Sequence, residues 1–508
     1  MKIRFIEPGN VPYKPSFKNL YVYDRFIRTP SNGLMTLATI VQKAHPDFDI
    51  LMYSESISKL KWSDILDSDV VFISIFTFSA MRGYELADFI RKNSKAKIVF
   101  GGLHATLNHA EVVPHCDFVL LGEGDETILK IIDSIVKNET PNFQGVAYKD
   151  ESGKIVCTGR APLPHNIDCI PNREICHNFK KMAGHNTIWP QVHASRGCPH
   201  NCDYCSLVAA FGRGIRTRTP QNVIDDIKDA ISFFEDGHHR LAKFLWITDD
   251  NFFADRKWAM EVLNLMIEQK INYRFSIQAR FEVGFDDEML ELLKKAGFFE
   301  LALGIEFLED EAFQNYHKKS TYQQILDSVK NIQKHGLNAR GLFIFGADNH
   351  TKGIGEKLAN FVIENGISGI LIQSMYFVPG TPVYASHKDE LIDENWSRCV
   401  GKVVHYPKLM SPTELQNEII IASKKIYSVK RLAKALFTKK FDEFILFAGE
   451  FFWQQSVRNR LKKRHAVSEA PCKRQFATGV ICPYEKRWNI MLFYGRETNL
   501  ISWKQADC

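Results

Sequence analysis

The chain has 508 residues, of which 45% are apolar and 24% charged, a balance typical of ordinary folded domains. Its length suits about three domains, and its net charge of +6 is too small for this size to indicate nucleic-acid binding. Eleven cysteines without a paired framework indicate a reduced protein. The N-terminus does not resemble a signal peptide, and no stretch is apolar for long enough to span a membrane. We therefore expect a cytoplasmic protein.

Residues 1–143 alternate short apolar runs with amphipathic stretches. The runs predict buried strands over Ile3–Ile6, Phe48–Tyr53, Val70–Ile75, Lys97–Phe100 and Phe118–Leu121. Helical patterns lie between them, over Leu34–Ala44, Ala80–Asn93 and Glu126–Lys137. This βα alternation predicts a Rossmann-like α/β domain with a parallel sheet.

Two of these strands end in glycine-rich loops, Gly101-Gly102 and Gly122-Glu123-Gly124. Open α/β sheets bind ligands at the carboxyl ends of strands, where glycine lets the backbone come close to the ligand. A phosphate or a nucleotide tail fits such loops, and two ordinary strand-to-helix turns explain them equally well. The residues alone therefore indicate a place for a ligand without identifying it.

Residues 144–190 are irregular, and Lys149–Gly153 has the composition of a hairpin turn, so we expect a linker with a small β-element. Residues 191–385 return to βα alternation. The predicted strands are Val192–Ser195, Lys243–Thr248, Tyr273–Ile277, Glu300–Gly304, Ala339–Phe345 and Gly369–Tyr376. The predicted helices are Asn222–Phe234, Arg256–Gln269, Asp287–Ala296, Thr321–His335 and Gly353–Glu364. About six βα units predict a partial TIM-like (β/α)6 barrel, with its chemistry at the carboxyl ends of the strands.

Three cysteines, Cys198, Cys202 and Cys205, follow the first predicted barrel strand with the spacing C-x3-C-x2-C. Three thiolates on one tight loop suit three irons of a [4Fe-4S] cluster, and the fourth iron is then open to a small molecule. Zinc is the alternative, with His193 or His200 as a fourth ligand, although the spacing fits zinc motifs poorly. The loop favours an iron–sulfur cluster.

The cysteine spacing, with Tyr204 before the last cysteine, resembles the signature of the radical S-adenosylmethionine (SAM) superfamily. The string 195–206 and the arginine-rich segment 211–218 resemble its cobalamin-binding branch, which includes hopanoid methylases and the anaerobic magnesium-protoporphyrin cyclase. The resemblance implies a [4Fe-4S] cluster, SAM, cobalamin and an electron donor such as flavodoxin or ferredoxin. It also implies that SAM binds the open iron, with Tyr204 among its contacts, and yields a 5′-deoxyadenosyl radical.

Polar residues at the ends of the predicted barrel strands are candidates for binding SAM. The resemblance places Asp249 and Asp250 at the SAM amino group, and the alternative is that one of them caps the next helix. It assigns Arg280 to the SAM carboxylate and Glu306 to the ribose, while an ion pair between these two is an equal alternative. Gly346 lies where the family packs the adenine.

In the first domain the resemblance implies a cobalamin site at the strand-end loops. The candidate residues are Ser74, Thr77, Gly101, Gly102, His104, Gly122 and Glu123. The Asp-x-His-x-x-Gly motif, which supplies a cobalt ligand in many cobalamin proteins, is not present in this domain. We therefore expect that the lower axial position of the cobalt is not filled by that histidine.

Two further features have open interpretations. Arg213, Arg216 and Arg218 form a basic, flexible segment that suits anionic groups of SAM, cobalamin or substrate. RNA binding also uses arginine, but we find no RNA-binding module and expect no nucleic-acid partner. His350 follows the fifth predicted barrel strand and is either a proton donor or, more commonly for a loop histidine, solvated.

Residues 386–508 are rich in helical patterns, over Thr413–Val429, Val429–Thr438 and Asp442–Lys463. Aromatic residues recur there, at Phe437, Phe441, Phe444, Phe447, Phe451, Phe452 and Trp453. They suit a lid over an apolar substrate, or a basic amphipathic face in peripheral contact with a membrane. A buried face with a solvated basic edge is the simplest interpretation.

Together these features predict a radical SAM enzyme that uses cobalamin to methylate an unactivated carbon of a small, apolar molecule. One SAM would yield the radical, and a second would methylate cob(I)alamin, which passes the methyl group to the substrate radical. One alternative is a cyclase or rearrangement enzyme that transfers no methyl group. Another is a non-catalytic metal-binding protein.

Overall fold

A seven-stranded sheet organises the first third of the chain in the computed structural model. The structure describes residues 1–9, 29–184, 188–238, 240, 243–399, 402–438, 444, 447–452, 454–455 and 458–459. The strands are β1 (Lys2–Glu7), β2 (Asp49–Ser54), β3 (Val70–Ser74), β4 (Lys97–Gly101), β5 (Phe118–Leu120), β6 (Val146–Lys149) and β7 (Ile155–Cys157). Their order is β2-β1-β3-β4-β5-β6-β7, with β1 to β5 parallel and the hairpin β6–β7 antiparallel. The predicted strands and the Rossmann-like fold are confirmed, and the small β-element of the predicted linker extends this sheet.

Helices cover both faces of this sheet. The longer ones are Asn32–Ala44, Ala80–Asn93 and Thr127–Lys137. The short helices are Trp62–Ile65, Leu103–Leu107 and His109–Val112, with 3₁₀ turns at Thr77–Ser79 and Val113–His115. Successive residues of β3 point to opposite faces, so Phe72 packs in one core and Ile73 in the other. A sheet covered on both faces explains why its strands are continuous apolar runs.

The helix Ala80–Asn93 approaches the sheet closely at Gly83. A Cβ there would lie 2.5 Å from Ile75 Cγ2 and 3.1 Å from Phe100 Cε1. We expect Gly83→Ala to lower the free energy of unfolding by about 1–3 kcal/mol through overpacking, as measured by urea denaturation. The control is Gly33→Ala, also in a helix, where a Cβ would meet nothing nearer than Ser31 Oγ at 3.9 Å. Equal destabilisation by both changes would contradict the close contact at Gly83.

A second, open sheet follows, with six parallel strands. After the edge strand β8 (Gln191–Val192) and a short antiparallel pair, β9 (Ser195–Arg196) and β10 (Arg216–Thr217), come β11 (Phe244–Ile247), β12 (Arg274–Ala279), β13 (Phe298–Glu306), β14 (Asn338–Phe345) and β15 (Ile370–Ser374). The order is β15-β14-β13-β12-β11-β8, and among the described residues β8 and β15 do not pair. The predicted partial barrel of six βα units is confirmed.

Helices pack along the outside of this partial barrel. The longer ones are Pro220–Glu235, Arg256–Glu268, Asp287–Lys295, Tyr322–Lys334 and Ile354–Glu364. Shorter helices are Phe179–Ala183, Ser206–Phe211, Asp310–Asn315 and Pro382–His387, with 3₁₀ turns at Arg173–Ile175, Phe252–Ala254, Phe281–Phe285, Lys388–Glu390 and Trp396–Arg398. Asp255 caps Arg256–Glu268 by accepting from the Trp258 N–H. The alternative that Asp249 or Asp250 caps this helix is therefore wrong.

Two further helices, Pro412–Ile426 and Val429–Thr438, follow the barrel. The first packs against Ile354–Glu364, and the Glu418 carboxylate accepts from the Gly355 N–H over 2.8 Å. The predicted aromatic face divides: Phe447 and Phe451 are buried, whereas Phe437 is 85% exposed. Phe441, Trp453 and most of the predicted helix Asp442–Lys463 lie outside the described residues. Within the described part of the chain, no helix combines the length and apolarity needed to cross a membrane.

Candidate cluster and cofactor site

The cysteine loop lies between β9 and the short helix Ser206–Phe211. Gly197, which precedes the first cysteine, has a φ of 95°, and a Cβ there would collide with the Gly214 carbonyl group. Only glycine fits this backbone without strain. The Cys205 N–H donates to the Cys202 carbonyl over 3.0 Å and closes the turn between these two residues. The loop therefore keeps its thiols on one tight turn.

The thiols of Cys198, Cys202 and Cys205 are half-buried and close enough to interact electrostatically. Burial raises the pKa of Cys205, while hydrogen bonds from backbone N–H groups at the start of the following helix act in the opposite direction. Sulfurs around one tetrahedral zinc lie about 3.8 Å apart. The described residues contain one set of three Cys, His, Asp or Glu ligand atoms within 4.8 Å of one another, and it does not include these cysteines. Their wider spacing fits a cluster better than a single zinc ion.

Asp249 and Asp250, at the end of β11, hold the backbone of the cysteine loop. Asp249 accepts from the Ala194 N–H over 2.7 Å and from the Ser195 hydroxyl over 2.6 Å. Asp250 accepts from the Gly197 N–H over 2.8 Å. Burial raises the pKa of Asp249 to about 7, against the effect of its two hydrogen bonds. Both carboxylates were predicted as contacts of the SAM amino group, and their hydrogen bonds to the cysteine loop were not predicted.

Arg280 and Glu306 lie at the ends of β12 and β13 but do not pair with each other. Arg280 Nη2 lies 2.6 Å from Glu282 Oε1, whereas Glu306 Oε1 lies 3.7 Å from Lys318 Nζ. The alternative of an Arg280–Glu306 ion pair is therefore wrong. Glu306 has a φ of 71°, in the left-handed region that non-glycine residues rarely adopt. Such backbone strain tends to occur at functional sites.

A cavity of about 290 Å³ lies beside the cysteine loop. Its walls include Pro199 and His200 of the loop, Asn251 after β11 and Arg280 after β12. Asn251 Nδ2 also lies 3.8 Å from Cys198 Sγ. The volume is near the lower end of the range for small-molecule sites. Arg280 therefore shares one small space with the part of the loop that carries the first cysteine.

Tyr204 and Gly346 both lie in tightly packed surroundings. The Tyr204 ring stands edge-on to Phe307 at 6.2 Å, and burial raises the pKa of Tyr204 well above its ordinary value. The Gly346 N–H donates to His350 Nδ1 over 3.1 Å, and the Gly346 carbonyl lies 3.3 Å from His405 Nε2. His350 is only 2% exposed, so the expectation of a solvated loop histidine is wrong.

At the end of β4, Gly101 and Gly102 form a part of the carboxyl-terminal edge of the first sheet that carries no side chains, the bare edge or glycine edge. A Cβ at Gly101 would meet no atom within 4 Å, whereas one at Gly102 would lie 2.8 Å from the Ile75 carbonyl oxygen and 2.9 Å from Ser74 Oγ. Gly102 has a φ of 94°, which favours glycine. The space at Gly101 is open to a ligand that approaches the backbone closely.

His104 is fully buried behind this edge. Its Nδ1 lies 3.2 Å from Thr77 Oγ1, and its Nε2 lies 3.1 Å from the Tyr84 hydroxyl. Both ring nitrogens are therefore within hydrogen-bond distance of protein groups. His104 and Thr77 belong to the core under the edge, and their polar side-chain atoms lie near each other and near the Tyr84 hydroxyl.

Glu123 and Asp125, after β5, meet two arginines beside the cysteines. Arg196 Nη1 lies 2.9 Å from Glu123 Oε2 and 2.7 Å from Asp125 Oδ2, and Arg216 also contacts the Glu123 carboxylate. All four side chains are less than a fifth exposed. Gly122 and Glu123 thus belong to a loop that buried ion pairs connect to the cysteine loop.

Two of the three arginines in the basic segment after the cysteines pair with acidic side chains of the protein. Arg216 contacts the Glu123 carboxylate, and Arg218 Nη1 lies 2.6 Å from the buried Asp226 carboxylate. Arg213 is exposed. The expectation that this segment offers free arginines to an anion is therefore wrong for Arg216 and Arg218.

The carboxyl ends of the two sheets face each other. The helix Leu103–Leu107, after β4, packs against Ser206–Phe211, after the cysteines. The residues present fit a cluster at the loop, because three thiols lie together and none of the described carboxylates or histidines joins them at single-ion distance. The bare edge at Gly101 fits a large ligand held through backbone contacts, and it lies on the side of the first sheet that faces the loop.

Sequence reasoning missed the residues that join these parts. Lys318 is buried beside Glu306, and His317 Nδ1 lies 2.7 Å from Asp203 Oδ2 between two of the cysteines. Neither residue stands in a recognisable motif. The sequence shows that Arg196 and Asp125 carry opposite charges, but it does not show that they pair, because the pairing depends on how the two sheets pack. Nothing in local sequence spacing reveals such long-range contacts.

Comparison with known proteins gives a consistent result. Residues 192–362 match the family model for the Radical SAM superfamily. An uncharacterised methyltransferase of Pyrococcus horikoshii is 28% identical over 384 residues, which cover 73% of this chain and 81% of that protein. Bacteriochlorophyllide d C-8(2)-methyltransferase of Chlorobaculum tepidum is 26% identical over 337 residues, covering 65% of this chain and 71% of that protein. Hopanoid C-2 methylase of Rhodopseudomonas palustris is 24% identical over 363 residues, covering 70% of this chain and 63% of that protein.

Solved structures share the fold at low sequence identity. The cobalamin-dependent SAM radical enzyme OxsB, with aqua-cobalamin bound, superposes with a TM-score of 0.67 at 14% identity, covering 91% of this chain and 72% of that chain. The radical SAM methyltransferase TsrM of Kitasatospora setae, with cobalamin and a [4Fe-4S] cluster bound, has a TM-score of 0.64 at 12% identity, covering 91% of this chain and 99% of that chain. The cysteine loop, the partial barrel and these matches agree: residues 192–362 form a radical SAM domain, and the chain shares the fold of cobalamin-dependent radical SAM enzymes.

Proposed function

We propose that this chain is a cobalamin-dependent radical SAM enzyme that methylates an unactivated carbon of a small molecule. The observation that carries the proposal is the packing of Leu103–Leu107 against Ser206–Phe211, which sets the glycine edge of the first sheet opposite the cysteine loop. A methyl donor and a radical source must both reach one substrate carbon, so they need sites that face each other. The methyltransferases among the curated relatives support this reading.

The chain's own residues would bind and orient the cofactors. When bound, the cluster and SAM supply a radical that removes hydrogen, and cobalamin supplies the methyl group. We assign the three thiolates to three irons, Arg280 to the SAM carboxylate and Glu306 to the ribose hydroxyls. Asp250 uses one oxygen for Gly197, and its other oxygen is our candidate for the SAM amino group. Asp249 then acts by bracing the loop.

The remaining assignments follow the packing of each residue. Tyr204 and the backbone of Gly346 would form the wall against the adenine. For cobalamin we propose Ser74 and the backbone of Gly101, Gly102 and Gly122 as contacts. His104, Thr77 and Glu123 would support that edge from behind, since their polar atoms are used within the protein.

The rest of the proposal concerns domains, partners and location. We divide the chain into a cobalamin-binding domain (1–143), a linker (144–190), the SAM barrel (191–385) and a helical region (386–508). A small electron carrier such as flavodoxin or ferredoxin would reduce the cluster in the cytoplasm. A peripheral membrane contact is favoured by three exposed apolar residues that lie beside lysines of the same helix, Val429, Leu436 and Phe437.

Anaerobic reconstitution with iron, sulfide and hydroxocobalamin tests the proposal. We expect about four irons and about one corrin to remain on each chain after gel filtration, with ultraviolet–visible spectra reporting the two separately. After chemical reduction, added SAM should give both S-adenosylhomocysteine, from methyl transfer, and 5′-deoxyadenosine, from radical formation.

Three results would argue against methyl transfer. Iron-loaded protein that never retains corrin would remove the methyl carrier. Release of 5′-deoxyadenosine without S-adenosylhomocysteine would favour a cyclase or rearrangement enzyme, and anaerobic magnesium-protoporphyrin IX monomethyl ester cyclases are among the relatives. Iron-loaded protein that consumes no SAM would favour a non-catalytic role.

A further inference from the structure

Three consecutive residues, Tyr316, His317 and Lys318, connect the cysteine loop to the end of β13. The Tyr316 ring stands edge-on to Tyr204 at 6.4 Å. His317 Nδ1 lies 2.7 Å from Asp203 Oδ2. Asp203 and Tyr204 are the two residues between Cys202 and Cys205, so this segment touches the loop between its second and third thiols.

Lys318 makes the connection to β13. Its side chain is 2% exposed, and its ammonium group donates to the Gly304 carbonyl over 2.5 Å and to the Ile305 carbonyl over 3.3 Å. The same group lies 3.7 Å from Glu306 Oε1. A buried lysine needs such acceptors, because an unpaired charge is costly in the interior. Lys318 therefore binds both the backbone and the carboxylate at this strand end.

The strand end that Lys318 binds has an irregular backbone. The register between β13 and β14 shifts between Gly304 and Glu306, and Glu306 has a φ of 71°. A Cβ at Gly304 would lie 2.9 Å from Glu306 Oε1, so glycine leaves the room that the folded-back carboxylate occupies. His317, beside Lys318, also has a left-handed φ, of 51°. Strained residues persist only where their surroundings hold them, and Lys318 contacts both the Glu306 carboxylate and the carbonyl groups of the two residues before it.

We propose that Lys318 is a positioning residue for SAM: it sets Glu306 at a fixed distance from the cysteine loop, so that one ligand reaches both. This rests on the proposed function, in which the methionine end of SAM meets the cluster and Glu306 meets the ribose. A carboxylate accepts hydrogen bonds from two neighbouring hydroxyl groups, as a ribose offers. The Tyr316–Lys318 segment contacts both ends of this span and fixes its length.

The experiment separates the two ends of the ligand. Reconstituted protein is kept oxidised, and equilibrium dialysis measures the dissociation constants of SAM, of 5′-deoxyadenosine and of methionine. We expect Lys318→Met to weaken SAM and 5′-deoxyadenosine by about tenfold and to leave methionine unchanged. Lys318→Arg should restore most of the affinity, because it keeps the buried cation. Lys319→Met, at the exposed neighbouring lysine, is the matched control and should bind all three ligands like the wild type.

Two results would overturn the inference. One is unchanged binding of 5′-deoxyadenosine by Lys318→Met, and the other is an equal loss of methionine, which would mean general damage to the cysteine loop. If Lys318→Met does not fold, Glu306→Gln must show the same selective loss, and its failure to do so counts against the inference. Wild-type protein that does not bind SAM would refute the proposed function itself, so the two failures are distinct.

Discussion

Replacing Cys198, Cys202 or Cys205 by alanine will abolish the formation of 5′-deoxyadenosine from SAM. Two thiolates hold a [4Fe-4S] cluster poorly, and without the cluster no electron reaches SAM. We expect a loss greater than the roughly 100-fold that removing a mere supporting residue costs at a metal site. Chromatography of the SAM products measures the loss, and iron and sulfide content should fall in parallel.

The control for this prediction is Cys157→Ala. Cys157 lies exposed on β7, on the hairpin at the edge of the first sheet, and is not among the three loop thiols. Iron content and SAM cleavage should match those of the wild type. A loop variant that keeps its full iron complement and its SAM cleavage would show that the cluster is held elsewhere, and the proposed radical source would be lost.

Much of the fold was readable from the sequence because buried strands leave a strong local signal. Ala80–Asn93 was predicted with the same bounds as observed, and β3 differs from its prediction by one residue. β3 lies in a sheet covered on both faces, so it is an uninterrupted apolar run, and Ala80–Asn93 packs against this sheet with a helical apolar pattern. Helices of four to six residues, such as Leu103–Leu107, were missed, since so short a helical stretch carries no clear periodicity.

The candidate site was only partly readable, because residue type does not determine a partner. The cysteine spacing located the loop. Asp249 was predicted to contact a ligand, but its two hydrogen bonds go to Ala194 and Ser195. His104 stands in a glycine-rich strand-end motif, yet it is buried with both ring nitrogens near protein groups. Such roles depend on residues that lie twenty or more positions apart in the chain, and no local pattern fixes them.

The ion pairs between the loop after β5 and the β9–β10 pair beside the cysteines should have the largest effect on stability. Asp125→Ala removes a carboxylate partner of Arg196. The Asp125 side chain is 7% exposed and the Arg196 side chain is 18% exposed. Arg196 is then left with fewer partners in a buried place, and breaking a buried pair on one side costs about 3–5 kcal/mol. We expect a fall of this size in the free energy of unfolding, measured by urea denaturation followed by circular dichroism. Iron content after reconstitution should also fall, because Arg196 lies two residues before Cys198.

Two further variants separate this explanation from a general effect of losing an aspartate. Asp236→Ala breaks the exposed pair with Lys180 and should leave the unfolding midpoint unchanged, because exposed pairs contribute little. Asp125→Ala combined with Arg196→Met should recover part of the stability, since removing both charges of a buried pair is far less costly than removing one. If Asp125→Ala unfolds at the same urea concentration as Asp236→Ala, the buried charges do not hold the two sheets together. The position of the glycine edge opposite the cysteine loop would then depend on other contacts, such as the packing of Leu103–Leu107 against Ser206–Phe211.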